Sequence, residues 1–341
     1  MRSFAALALA GAASAVSLET YEFMQYVSKF GKNYDTLEEF NMRMELFTTI
    51  DKEIKEWNAT EGITSTMGHN YLSDYTQEEK KALRGLAQSS EQHEATHFAP
   101  EGYVQALSTF NWCNTSNSTG QDQCSPIKNQ EQCGSCWAFS ATETVESAIS
   151  IFHNVHPTPI LSPQQLVSCS QAYGNNGCNG GWYYYAWNYL QANAQETNAD
   201  YPYTSGNGVT GTCKANTSLG IVKTVAGAGK DYVVVGQTNT DIMSAIDRQP
   251  TSVAIDASQN VFQYYTSGVI TTGCGTTLDH AVVAVGYGTS GSTNYFMVRN
   301  SWGTSWGMAG FVMIGQSSTG TAPGYCGINS KPYYPNIVYP L

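Results

Sequence analysis

The residues of this chain best suited to do chemistry lie in one stretch, Lys128-Asn129-Gln130-Glu131-Gln132-Cys133-Gly134-Ser135-Cys136-Trp137-Ala138-Phe139-Ser140. Its C-x-x-C admits three readings: a redox pair, half of a metal site, or one disulfide cysteine beside one free thiol. A redox pair leaves an odd number of other cysteines, and no second ligand pair at similar spacing completes a zinc site. The third reading gains from position. An apolar helical run starts at Cys136, where unpaired N–H groups and the helix dipole favour an anion and are expected to lower the thiol pKa from about 8.5.

A thiolate nucleophile needs a proton partner and a group that orients it. Three of the six histidines, His69, His93 and His97, lie in the front of the chain, and His153 and His156 read as helix-end residues. His280 opens the apolar strand Leu278-Asp279-His280-Ala281-Val282-Val283, where an imidazole is either capped locally or poised over a cleft. Asn300, in Arg299-Asn300-Ser301-Trp302-Gly303, is either an ordinary turn asparagine or an amide that holds the imidazole beneath the Trp302 ring. Gln130 is spaced to bring a side-chain N–H beside the Cys136 backbone N–H, forming an oxyanion hole.

These residues need elements to hold them. At 341 residues, 41% hydrophobic and only 13% charged, the chain has enough apolar material for two packed units. A net charge of −11 without any basic run argues against nucleic acid as a partner. Arg2, the apolar Phe4 to Ala13 and the small residues Ala13-Ser14-Ala15 read as a secretory signal over 1–15, too short to span a bilayer. Secretion favours disulfides, yet there are nine cysteines, so at least one is free or linked to another chain. Asn58, Asn114, Asn117 and Asn216 are glycosylation acceptors by motif.

Residues 1–107 carry 9 basic and 16 acidic groups and no cysteine, against 7 and 11 in the longer remainder, which places a boundary near 107. Phe40, Met44, Phe47, Ile50 or Ile54, and Trp57 recur at helical spacing over Leu37 to Asn58, with a shorter amphipathic piece over Tyr21 to Phe30. Gly85 to Ser108 reads as an extended linker. Beyond it, the pattern predicts helices over Cys136 to Phe152, with Glu143 and Glu146 facing outward, over Ser162 to Val167, and from Trp182. Strands are predicted at Ile221–Val225, Tyr232–Val235, Ser252–Asp256, His280–Tyr287, Tyr295–Val298 and Phe311–Ile314. Helices first and strands later describe an α+β arrangement of two subdomains.

Gln130 through Ser140, Cys178-Asn179-Gly180-Gly181, Asp279-His280-Ala281 and Asn300-Ser301-Trp302-Gly303 together resemble the papain-like cysteine proteases, nearest the cathepsin L group. His280 and Asn300 stand 144 and 164 residues after Cys136, the second slightly beyond the family's usual range. In front, Glu39, Arg43, Phe47, Ile54 and Asn58 resemble the family's prosegment helix motif, with Ile50 where an Asn is usual. Gly68-x-Asn70-x-Leu72-x-Asp74 resembles the next motif, with Leu72 replacing an aromatic.

The resemblance implies a papain-like fold, a helical left domain (about 108–218) and an antiparallel β-barrel-like right domain (about 219–341), behind an inhibitory prosegment at 16–107. It implies Cys136 as nucleophile, His280 as acid–base, Asn300 as its orienter and Gln130 as oxyanion donor, with no cofactor and no metal. Disulfides Cys133–Cys178, Cys169–Cys213 and Cys274–Cys326 follow from the family pattern. Pairing Cys113 with Cys124 leaves Cys136 alone, and that small loop, carrying Asn114 and Asn117, is expected on the surface. Gly180 and Gly181 are expected to pair with substrate backbone, with Asp279 and Trp302 flanking the cleft, and Trp182, Ala254, Leu278 and Lys331 to form the pocket for the second residue before the cleaved bond. Lys331 departs from the small, apolar or acidic residue usual there.

No paired histidines or long insertion suggest a carboxypeptidase-type lid, so an endopeptidase is expected. It would be a monomer made as a zymogen and acting on peptides and proteins, with no membrane partner, in a lysosome, a food-vacuole-type compartment or outside the cell. Its prosegment is expected to be cut near 103–109 and to loosen in acid. The alternatives are a catalytically silent papain-like binding protein, which would lack one of the four site residues, and a thiol oxidoreductase, which needs Cys133 and Cys136 to cycle together.

Overall fold

The computed structural model describes residues 17–89, 91–216, 218–225 and 232–341. The signal segment expected at 1–15 lies outside the described residues.

The front of the chain forms a small helical unit. Helix α1 (Leu18–Phe30) starts on Ser17, whose side chain accepts from the Thr20 N–H, and ends at Gly31 with φ 61°. Helix α2 (Leu37–Ala59) is capped in the same way by Thr36 and buries Phe47, Ile50 and Ile54. The two helices close over Phe23, Tyr26 and Phe47. Asp74 ties the unit together, accepting from Tyr26 OH at 2.6 Å, Lys32 Nζ at 2.7 Å and Tyr34 OH at 2.9 Å. Arg43 grips Glu79 with both terminal nitrogens, at 2.6 and 2.8 Å, and so holds α3 (Gln77–Ala82) to α2. Ile50 and Leu72, the two departures from the prosegment motifs of the resembled family, are both buried in the large core shared with the body of the chain.

This unit docks by strand addition. Strand β1 (Ser65–Met67) pairs antiparallel with β6 (Tyr265–Ile270) of the body. Beside it Lys80 is buried, with Nζ 5.1 Å from the centre of the Tyr264 ring, and burial lowers its pKa to about 8.

In the body, α4 (Cys136–His153) is the central helix, buried from Cys136 through Ser150. Helices α5 (Pro163–Cys169) and α6 (Tyr183–Ala192) pack on one side of it, and the sheet packs on the other. Ser140 Oγ joins α4 to the sheet, donating to Ser252 Oγ at 2.8 Å and Val282 O at 3.0 Å. The sheet is built from β2 (Phe110–Asn111), β4 (Tyr232–Val234), β5 (Thr251–Ile255), β6, β7 (His280–Ser290), β8 (Thr293–Arg299), β9 (Phe311–Gly315) and β10 (Tyr333–Pro335). Its order is β1-β6-β9-β8-β7-β5-β10-β4, with β2 beside β7, while β3 (Lys223–Thr224) and β11 (Ile337–Val338) pair separately. The pairing Val283↔Arg299 brings the start of β7 and the end of β8 to one end of the sheet, so His280 and Asn300 lie close together.

Four expectations need correction. Glu143 and Glu146 do not face outward, because α4 has no wet side: Glu143 lies 3.2 Å from Arg299 and Glu146 lies 2.7 Å from Lys128. Burial raises the Glu143 pKa. The right-hand subdomain is not purely strand: α7 (Asn239–Arg248) sits in it, started by a Thr238/Asp241 capping box, and α8 (Asn260–Gln263) adds one turn. Nor is the sheet wholly antiparallel, since β6 and β9 run parallel. Finally, Asn117 is buried, its amide donating to the carbonyls of Asn111, Asn114 and Gln121 to brace the Cys113–Cys124 loop. Asn114 in the same loop is exposed.

Candidate active site

Cys136 is the first residue of α4 and the one free cysteine among the described residues; it is fully buried. The other eight are bonded as Cys113–Cys124, Cys133–Cys178, Cys169–Cys213 and Cys274–Cys326. Cys133 is therefore held to Cys178, and the loop before α4 is further held by the Gly134 N–H donating to Cys178 O at 3.1 Å. A cycling Cys133–Cys136 pair is incompatible with this bonding.

His280 opens β7 with its ring fully buried. Its Nε2 lies 2.8 Å from Asn300 Oδ1, which also accepts the Ser301 N–H at 2.8 Å. The other ring nitrogen, Nδ1, has no hydrogen-bond partner. Trp302 packs on the imidazole with ring centres 4.8 Å apart. The backbone N–H of Ala281 lies close enough to the Cys136 sulfur to favour its charged form, so the start of β7 reaches the start of α4.

Gln130 is positioned by three contacts. Its N–H donates to Ser301 O at 2.9 Å, its Oε1 accepts from Ser301 Oγ at 2.7 Å, and its carbonyl accepts from Tyr203 OH at 2.8 Å. The loop that carries Asn300 therefore also fixes Gln130. Neither Ser301 nor Tyr203 stood out in the sequence, because serines and tyrosines are too common here for type and spacing to single them out.

The cleft is filled by residues 83–87. Leu83 O accepts from Gln130 Nε2 at 2.9 Å, and the Gly85 N–H lies 3.3 Å from Cys136 Sγ. The Gly181 N–H donates to Gly85 O at 2.9 Å, and the Ala87 N–H returns to Gly181 O at 3.3 Å. Only glycine fits at position 85, where an added Cβ would lie 1.7 Å from Gly134 O. Gly180 turns the facing loop with φ 112°. The segment read as linker from Gly85 therefore begins as the plug itself. The sequence signal available was Gly85 in an otherwise side-chain-rich run.

Arg84 and Asp279 form an ion pair across this junction, Nη1 to Oδ2 at 3.1 Å. Asp279 Oδ1 also accepts the Ala257 N–H at 2.8 Å. Burial raises its carboxyl to about 6, opposed by the Ala257 hydrogen bond and the Arg84 charge. Burial likewise pushes the Cys136 thiol up to about 11 and His280 down to about 4. With the plug in place, then, the helix start does not lower the thiol pKa: desolvation outweighs the dipole. Trp182 and Ala254 are buried in one cluster, Leu278 packs against it, and Lys331 is half-buried beside it, its carbonyl bonded by Tyr183 OH.

No group of three or more metal-ligating side chains occurs among the described residues. No helix among them is long and apolar enough to cross a membrane.

A buried thiol at a helix start, an imidazole fixed by an amide and a peptide plug describe the latent form of a thiol hydrolase. Residues 108–336 match the papain family cysteine protease profile, and residues 23–79 match the cathepsin propeptide inhibitor domain. Digestive cysteine proteinase 3 of Homarus americanus is 35% identical over 342 residues, covering 98% of this chain and 99% of the relative. Among solved structures, digestive procathepsin L 3 of Tenebrio molitor larval midgut is 27% identical with a TM-score of 0.77, covering 94% of this chain and 100% of that one. The recombinant stem bromelain precursor is 31% identical with a TM-score of 0.77, covering 93% and 98%. The chain belongs to the papain family of cysteine proteases. It is a cathepsin L-like zymogen, with its propeptide as an intramolecular inhibitor, and nothing supports a catalytically silent form.

Proposed function

We propose that the mature enzyme is an endopeptidase in which Cys136 is the nucleophile, His280 the acid–base and Asn300 its orienter, with Gln130 stabilising the oxyanion. The observation that carries this reading is the plug: a peptide carbonyl rests on Gln130 Nε2 while the adjoining backbone touches Cys136 Sγ. His280 takes the Cys136 thiol proton, and the resulting thiolate attacks a substrate carbonyl in that space, forming the C–S bond as the carbonyl π pair moves onto the oxygen beside Gln130. The C–N bond then breaks as His280 gives its proton to the leaving amine. Water attacks the thioester, His280 takes its proton, the C–S bond breaks and the acid leaves. In a comparable protease site one oxyanion donor contributes about 3 kcal/mol.

Gly180 and Gly181 pair with substrate backbone, as Gly181 does with the plug, and Trp182, Ala254, Leu278 and Lys331 line the pocket for the second residue before the cleaved bond. Asp279 and Trp302 flank this cleft, Asp279 as the base of the Arg84 ion pair and Trp302 as the cover over His280. Residues 16–107 act as the prosegment and 108–341 as the enzyme, divided near 218–219. The cut falls near 103–109, where residues 104–109 are exposed. The protein acts as a monomer that enters the secretory pathway and works in a lysosome, a food-vacuole-type compartment or outside the cell. Four disulfides support an oxidising route, and relatives described as digestive support bulk protein as substrate.

An epoxide thiol inhibitor applied to processed enzyme is expected to label Cys136 alone and abolish hydrolysis. Cys136→Ala is expected to be inert yet still fold and be secreted with its prosegment. Hydrolysis retained by Cys136→Ala would sink the assignment.

A further inference from the structure

The start of the enzyme body is anchored at two points. Strand β2 pairs with β7, Phe110 opposite Tyr287 and Asn111 opposite Gly286, and the Phe110 and Tyr287 rings stack with centres 5.5 Å apart. Trp112 then donates its backbone N–H to Val285 O at 2.9 Å and its Nε1–H to Ile246 O at 2.6 Å. Residues 110–112 are thus fixed both to the sheet and to the last turn of α7. These bonds lie within the body, so they remain when the prosegment leaves.

Asp247 follows Ile246 in that last turn. Its Oδ1 accepts from Tyr287 OH and its Oδ2 from Tyr103 OH, each at 2.5 Å. Burial raises the pKa of both phenols, so both donors are neutral. Among the described residues, no Lys, Arg or His forms an ion pair with this carboxylate. Arg248, the next residue, instead lies over the Phe152 and Tyr334 rings, 5.2 and 5.9 Å from their centres. A carboxylate at the end of a helix faces the negative pole of the dipole, where a cation beside it would be stabilising.

Tyr103 is the prosegment's half of this clasp. Three residues on, the Ala106 N–H donates to Tyr287 OH at 3.2 Å, so one hydroxyl links Ala106 to Asp247. Between these two moorings Val104 and Gln105 are exposed, Val104 to 82%. Only residues 107–109 separate Ala106 from Phe110, so Ala106 stays within short reach of Tyr287 once the chain before it is gone.

We propose that maturation cuts the bond between Gln105 and Ala106, and that the freed α-ammonium of Ala106 takes the place of Tyr103 on the Asp247 carboxylate. Hydrolysis breaks the C–N bond; the hydroxyl of water goes to the Gln105 carbonyl carbon and its other proton to the Ala106 nitrogen. The resulting acid and amine exchange a proton and stand near neutral pH as carboxylate and ammonium. A nitrogen that had donated one neutral N–H to Tyr287 becomes a cation, one hydroxyl away from a carboxylate that has just lost a donor. The cut itself therefore supplies the charge that Asp247 lacks, and an ion pair replaces a bond from a neutral hydroxyl. The inference rests on the protease reading above and gives the product of maturation a binding site in the body.

The test uses full-length zymogen allowed to process itself in acid and then stopped with the epoxide thiol inhibitor. Sequencing from the amino terminus is expected to begin at Ala106. The α-amine is next carbamylated with cyanate near neutral pH, where it is less protonated than a lysine, and its modification is checked by mass spectrometry. Blocking the amine is expected to lower Tm by about 2–4 °C in the wild type and by less than about 1 °C in Asp247→Asn. An amino terminus at any other residue, with Cys136 labelled by the epoxide, would overturn the site and leave the protease reading standing. So would a loss of Tm that is the same, or nil, in both proteins. A chain that stays unprocessed and whose Cys136 takes no epoxide would overturn both.

Discussion

At the scale of single residues, latency has two parts. The plug denies space to a substrate, and by burying the site it also sets the wrong protonation. A thiol near 11 beside an imidazole near 4 leaves both groups neutral at pH 7, whereas hydrolysis needs a thiolate with an imidazolium. Alkylation of Cys136 by iodoacetamide in the intact zymogen is therefore expected to be slow at pH 7 and to rise only above about pH 10. Processed enzyme is expected to react quickly near neutral pH. A zymogen alkylated as fast as processed enzyme at pH 7 would show that burial does not suppress the thiolate. Cys136, His280, Asn300 and Gln130 were all legible in the sequence, since each is a chemically distinctive residue at a recognisable spacing. Ser301 and Tyr203, which hold Gln130 in place, were not, because their role depends on contacts that no local pattern announces.

At the scale of elements, the junction between prosegment and β7 holds an ion pair whose strength depends on pH. The Arg84–Asp279 attraction exists only while Asp279 is ionised, so the contribution of Arg84 fades as pH falls through about 6. Protonation also relieves the larger cost of burying the Asp279 charge, so the group as a whole does not loosen the junction in acid. Arg84→Gln is expected to speed autoprocessing several-fold at pH 7 and to change it little at pH 4.5. A mutant-to-wild-type ratio that stays constant over this range would show that Arg84 does not restrain processing through the ionised Asp279. His69 is the group whose sign favours loosening in acid. Burial lowers its pKa despite Asp51 3.2 Å away, so the prosegment core is weakened as pH falls below the imidazole's unfolded value, about 6.5. The helices α1, α2, α4, α5 and α6 were legible from apolar spacing. Helix α7 was missed because its short apolar set lies among strand-like runs, although the Thr238-x-x-Asp241 capping pair was there to be read.

At the scale of the whole molecule, α4 is enclosed between the other helices and the sheet, and the two bodies are joined by charges as well as apolar contacts. Glu143 meets Arg299 at the end of β8, one residue before Asn300, and Glu146 meets Lys128 just before Gln130. Removing one member strands a buried charge, so Arg299→Met is expected to destabilise the protein by about 3–5 kcal/mol, read as a lower denaturant midpoint. The double change Arg299→Met with Glu143→Leu is expected to recover much of that loss. A single mutant as stable as wild type would mean that these charges are more hydrated than their burial implies.

The sequence by itself determined the family, the catalytic chemistry and the division into prosegment and enzyme. These rest on residue types at set intervals along the chain, and local chemistry is written there. The tertiary structure alone decided that Glu143 and Glu146 turn inward, that residues 83–87 are the plug, and that Tyr103 and Tyr287 meet at Asp247. It also decided that burial overrides the helix dipole at Cys136. Each of these depends on which surfaces are covered by parts of the chain tens to hundreds of residues away. Desolvation and long-range pairing have no signature in the local order of residues.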